Sequence, residues 1–265
     1  MRRIKVTVAY DGTEFHGWQV QPGLPTIQGE LERILAEIEG AAVQVAGSGR
    51  TDAGVHALGQ VAAFDLNNPI PAENLRRALN RLLPPTIRIN QAELTHPEFH
   101  PRYHAAAKTY EYRIWRPEVC PPFECRYVHH YPYPLDVGSM MRCAPLLEGE
   151  HDFSAFAASD ERDAEGRSKR RTIFSSMLME DGERLLYLIR GSGFLKHMVR
   201  NIVGTLIEAG RGNLDRERLL EMLEPGFPGK SGSRAPASGL FLVSVEYGTP
   251  GREASSGQSG APEDA

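Results

Sequence analysis

Cysteines are few in this sequence, long apolar runs are missing, and there is no excess of positive charge. The three cysteines among 265 residues, Cys120, Cys125 and Cys143, include no Cys-x-x-Cys pair and would staple a chain this long poorly. A reducing, cytoplasmic setting is expected. No apolar stretch approaches the ~20 residues of a membrane-crossing helix, so no membrane partner is expected. Met1 to Val8 begins basic and then alternates apolar and polar side chains, the pattern of a strand and not of a signal peptide. The formal net charge of -4 argues weakly against a polyanionic partner, because phosphate binding rests on lysine and arginine. The total hides its distribution. Arg76, Arg77 and Arg81 share one predicted helix, and Arg167, Lys169, Arg170 and Arg171 form a basic run, so a local basic groove is compatible with the sum.

Cofactor signatures fail on inspection. Gly47-Ser48-Gly49-Arg50-Thr51-Asp52 starts like a dinucleotide loop but has Asp52 where the third glycine is needed, and a carboxylate repels a pyrophosphate. Gly229-Lys230-Ser231 resembles the end of a phosphate loop, yet Glu224 replaces the upstream glycine and Pro225 and Pro228 remove backbone donors. His100 and His104 have zinc-like spacing that Pro101 interrupts, with no third ligand indicated. Neither a metal nor an organic cofactor is expected.

Ile4 to Tyr10 alternates as a strand, with Ile4, Val6, Val8 and Tyr10 on one face. Thr26 caps a helix in which Ile27, Leu31, Ile34, Leu35 and Ile38 keep the helical period, and Gly40 ends it. Strands are expected at Val43–Ala46 and Val61–Leu66, on either side of a glycine-rich loop holding Asp52. A second helix with Leu75, Ala78, Leu79 and Leu82 inward stops at Pro84-Pro85. Further on come a strand at Lys108–Trp115, a helix near Asp136–Cys143, a hairpin turning at Asp181-Gly182, a broad apolar helix over Phe194–Ala209 and a last strand at Leu240–Tyr247. Irregular alternation with a hairpin favours an α+β fold with antiparallel sheet over a doubly wound parallel one. Residues 249–265 are mainly Gly, Ser, Pro, Ala and Glu with no aromatic residue, a composition expected to stay disordered.

Three groups carry possible chemistry. Asp52 lies in a loop whose Gly47, Gly49 and Gly54 permit backbone conformations closed to other residues, with Arg50 as a donor and His56 as a titratable neighbour. The competing reading is a tight turn in which Asp52 bonds its own loop. Tyr110 and Tyr112 share a strand face with Lys108, an arrangement suited to stacking on splayed RNA bases, though a core strand would look much the same. Arg200 sits inside the apolar helix, where a guanidinium wants a carboxylate; Asp52 is the candidate partner, and a surface-facing Arg200 is the alternative.

These residues occur in blocks that closely resemble the tRNA pseudouridine synthase A family. Tyr10 to Gln19 is similar to its opening block, Thr26 to Glu32 to its first helix and Gly49 to Ala57 to its catalytic loop. Lys108-Thr109-Tyr110-Glu111-Tyr112, Gly193 to Gly204 and Ala235 to Leu240 continue the likeness in order. The resemblance implies a cofactor-free isomerase converting uridine to pseudouridine at positions 38, 39 and 40 of the tRNA anticodon stem-loop. It implies a homodimer in which two α/β halves, residues 1–104 and 105–248, share a central, mainly antiparallel sheet. It further implies Asp52 as nucleophile, Tyr110 stacked on the uracil with a part in removing its C5 proton, and Arg200 paired with Asp52. Leu240 would pack on the base and Arg50 fill the gap left by the flipped nucleotide, with His56 a further substrate contact. An RNA-binding module without catalysis is the competing class.

Overall fold

The computed structural model describes residues 1–158 and 168–248. The tail at 249–265 and Arg167 of the basic run lie outside the described residues. Strand β1 (Arg2–Tyr10) buries Ile4, Val6, Val8 and Tyr10, as its alternation predicts. It lies between β3 (His56–Leu66) and β4 (Ile87–Leu94), antiparallel to both. Helix α1 (Ile27–Glu39) begins where the Thr26 hydroxyl accepts from the Gly29 amide and ends at Gly40, whose φ of 77° a residue with a Cβ rarely adopts. Its buried Ile27, Leu31, Ile34 and Leu35 form the apolar stripe.

The strand expected at Val43–Ala46 is reduced to a two-residue pairing, β2 (Ala46–Gly47), against β3. Val43 and Val45 are buried nonetheless. The backbone of Val45 is satisfied by side chains of α1 instead of a ladder: its amide donates to Glu32 and its carbonyl accepts from Gln28. Helix α2 (Ala72–Leu82) buries Leu75 and Leu79, but Leu82 is 45% exposed and Leu83 takes the inward place. Pro84 forces the preceding residue into extended backbone, and that rotation turns Leu83 inward.

The second half comprises β5 (Ala105–Trp115), β6 (His129–His130), α3 (Val137–Cys143, capped by Asp136), β7 (Gly149–Asp152), β8 (Arg170–Asp181), β9 (Arg184–Gly191), α4 (Met198–Gly210), α5 (Arg216–Glu221) and β10 (Leu240–Tyr247). The sheet runs β4-β1-β3-β10-β5-β9-β8-β7, with β2 on β3 and β6 on β5. All pairings are antiparallel except β10 with β3 and β5 with β6, which makes the fold α+β with a mixed central sheet. The last strand, β10, therefore lies between β3 and β5, parallel to the first and antiparallel to the second.

Helix α4 starts at Met198, four residues later than Phe194, because His197 takes left-handed backbone (φ 63°) and breaks the helical run. Against α4 lies the strap 232–235. A Cβ on Gly204 would stand 1.7 Å from the Ser233 carbonyl oxygen, so only glycine permits this approach.

Candidate active site

The loop between β2 and β3 is fixed from several directions. The Ser48 hydroxyl donates to Gln60 (2.6 Å), the Gln60 amide donates to the Gly49 carbonyl (3.0 Å), and Lys108 Nζ donates to the Ser48 carbonyl (2.6 Å). Beyond these, the Tyr10 and Thr51 hydroxyls share a hydrogen bond of 2.8 Å and the Trp18 amide donates to the Thr51 carbonyl. Of the three loop glycines, only Gly54 uses positive φ (77°). Gly47 instead makes room for Trp18, which a Cβ would meet at 2.5 Å.

Held this way, Asp52 points out of its loop. Arg200, in the first turn of α4, donates from Nη1 to Asp52 Oδ2 at 2.9 Å and from Nε to the Ala235 carbonyl at 2.8 Å. The predicted pairing is present and Arg200 does not face the surface; the turn of the competing reading is formed too, but by the Asp52 backbone carbonyl, which accepts from the Val55 amide, while the side chain bonds Arg200. The Ala235 amide returns a bond to the Arg200 carbonyl, so the strap and the helix hold the guanidinium together.

Asp52 and Arg200 open onto a cleft of about 1150 Å³. Tyr110, on β5, lines it with only 8% of its surface exposed and meets Phe194 edge to face at 5.0 Å. Burial, with Tyr10 and Asp52 nearby, pushes the Tyr110 hydroxyl above its ordinary pKa, so it holds its proton at neutral pH. Leu240, at the start of β10, forms another part of the wall, and Arg50 lies exposed on the same cleft.

Two expected contributors lie elsewhere. His56 is 1% exposed and does not line the cleft: its ring stacks on Phe241, Nδ1 accepts from the Gly12 amide, and Nε2 meets the Arg126 carbonyl. Burial pushes its pKa below the usual imidazole value. Tyr112, fully buried, donates its hydroxyl to the Pro236 carbonyl and acts as a pillar under the strap. Its alternation with Tyr110 brought both rings to one face of β5, but only Tyr110 reaches the cleft.

Charge in the cleft is the reverse of the chain's total. Arg50, Arg102, Lys108 and Lys169 line it together with Arg171, Lys196, Arg200 and Arg234, eight cations facing Asp52 as the one carboxylate of the described lining. Burial lowers the Lys108 pKa to about 8, with Arg102 adding to the effect.

A family model described as tRNA pseudouridine synthase matches residues 6–104 and 143–248, more than half of the chain. The chain belongs to the tRNA pseudouridine synthase family. Relatives named tRNA pseudouridine synthase A extend the match. One from Solibacter usitatus is 66% identical over 247 residues, covering 93% of this chain and 100% of its own. Another from Anoxybacillus flavithermus is 44% identical, covering 93% and 99%, and one from Latilactobacillus sakei is 43% identical over the same shares.

Two members of this synthase's site escaped sequence reasoning. His197 has its Nε2 3.5 Å from Asp52 Oδ2, and Arg234 approaches the same imidazole. The apolar block around His197 reads as uninterrupted helix, which conceals the left-handed residue. The one available signal was that His197 precedes Arg200 by three positions.

Proposed function

We propose that this chain isomerises uridine to pseudouridine at positions 38, 39 and 40 of the tRNA anticodon stem-loop, acting as a homodimer. The observation that carries the reading is the Asp52–Arg200 pair beside Tyr110 in a cleft lined by cations. In the reaction the N1–C1′ bond of uridine breaks, the base turns, and a C5–C1′ bond forms. C5 loses a proton and N1 gains one, so the atoms balance without any cofactor. Asp52 supplies the carboxylate, whether it adds to C6, adds to C1′ as in retaining glycosidases, or removes a proton in a glycal route. Arg200 balances its charge.

A stacked base hides its glycosidic bond, so the target nucleotide must leave the stack. Tyr110 offers the flipped uracil a flat apolar surface, Leu240 packs on the base, and Arg50 fills the vacated position. Cations along the cleft hold phosphates, and no cleft metal is needed for that role. Incubating the protein with unmodified tRNA and mapping pseudouridine tests the reading. Product at positions 38 to 40 is expected. Binding with no product at any uridine would leave an RNA-binding module and overturn the enzyme.

A further inference from the structure

His197 is the one non-glycine residue at positive φ among the described residues, a conformation that side-chain-bearing residues seldom adopt. It stands directly before α4, on the cleft wall, with its side chain 16% exposed. Its Nε2 lies 3.5 Å from Asp52 Oδ2, the same oxygen that Arg200 holds at 2.9 Å. No described hydrogen bond engages Oδ1. From the other side, Arg234 Nη1 reaches His197 Nδ1 at 2.7 Å, nearer than Nε2 at 3.3 Å.

A nitrogen 2.7 Å from Nδ1 and only 3.3 Å from Nε2 stands over the imidazole face, so the Arg234 guanidinium packs on the ring. In a neutral ring, the tautomer protonated on Nε2 is the one that turns its N–H toward Asp52. Burial favours that neutral ring, and Arg234, Arg200 and Lys196 add to the effect against the opposing pull of Asp52.

We propose that His197 is a positioning residue for the isomerisation: with Arg200 it grips Oδ2 of Asp52 from a second direction, so that Oδ1 is the oxygen presented to substrate. Arg234, packed on the ring face, backs the imidazole against the carboxylate. The strap carrying Arg234 also holds Arg200 through Ala235, so one segment orients both partners of the carboxylate. This inference rests on the reading of Asp52 as the reacting carboxylate, and its test separates the two.

Glycine adopts φ 63° freely, so His197→Gly removes the imidazole without disturbing the backbone. Its melting temperature and tRNA affinity should match those of the wild type, while single-turnover pseudouridine formation slows about 10- to 100-fold. His197→Gln returns a side-chain N–H donor toward Asp52 and should recover most of that loss. The acid limb of the rate profile, present when His197 becomes a cation beside Arg234, should move to lower pH in the Gln variant. A Gly variant at the wild-type rate, a Gln variant no better than Gly, or an unmoved acid limb would overturn the assignment. Nitrogen NMR of His197 in the wild-type protein tests the tautomer without turnover: a proton on Nε2 supports the grip, and one on Nδ1 overturns it. Absence of pseudouridine from the wild-type reaction would instead refute the functional reading, leaving the tautomer measurement to judge His197.

Discussion

Asp52 and Arg200 lie 148 positions apart in sequence, and their contact brings the two halves of the chain to one site. Removing charge from either end should separate chemistry from binding. Asp52→Asn keeps the shape of the side chain but cannot serve as nucleophile or base. Turnover should fall by about 10⁴-fold, with tRNA affinity in a filter-binding assay near that of the wild type. A variant that still turned over would remove Asp52 from its role. Tyr110 is a different case: burial favours the protonated phenol at neutral pH, and we predict that stacking outweighs proton abstraction in its contribution. Tyr110→Phe should retain tRNA affinity and stay within about 10-fold of the wild-type rate, while Tyr110→Ala loses affinity, given that a stacked base is worth ~1–3 kcal/mol. Lys108 adds a pH dependence. As a base with its pKa lowered to about 8, it is charged below that value and neutral above it. Raising the pH from about 7 to about 9 should therefore make the salt dependence of tRNA binding shallower, by roughly one counterion equivalent. Lys108→Gln should already show the shallower slope at the lower pH.

Among the elements, α4 depends on one missing side chain. Gly204→Ala forces a methyl group into the Ser233 carbonyl, so the strap must move and Arg200 loses its backbone anchor. Overpacking of this kind costs about 1–3 kcal/mol, measurable by denaturant unfolding, and turnover should fall with it. Elements that run on a clean period were legible from sequence: β1, α1 with both caps, and β10 all occur where alternation or helical spacing places them. The misreadings share a cause, which is tertiary partners that local pattern cannot report. Val45 gives its backbone to side chains of α1, and β4, for which no expectation was formed, buries only Ile87 and Ile89 before its polar remainder follows the sheet edge. His197 ends a helical pattern that its neighbours would have continued. At the site, Arg200 was legible because a guanidinium in an apolar helix demands a carboxylate. His56 was not, since residue type alone does not tell a buried, saturated imidazole from one facing substrate.

At the scale of the whole molecule, the net charge of -4 and the cation-lined cleft show how little a total says about a surface. If phosphates occupy that cleft, tRNA affinity should fall with salt on a log–log slope steeper than about -3. A flat response in a titration from low to physiological salt would place the RNA elsewhere. The sheet order has a consequence for assembly. Translation proceeds from the first residue to the last, so β3 and β5 emerge well before β10, the strand that must enter between them. Until it does, each carries an unpaired edge, and edges of this kind recruit other chains. Ribosome-bound chains halted before Leu240 should thus lack a completed site and depend on chaperones to keep those edges apart.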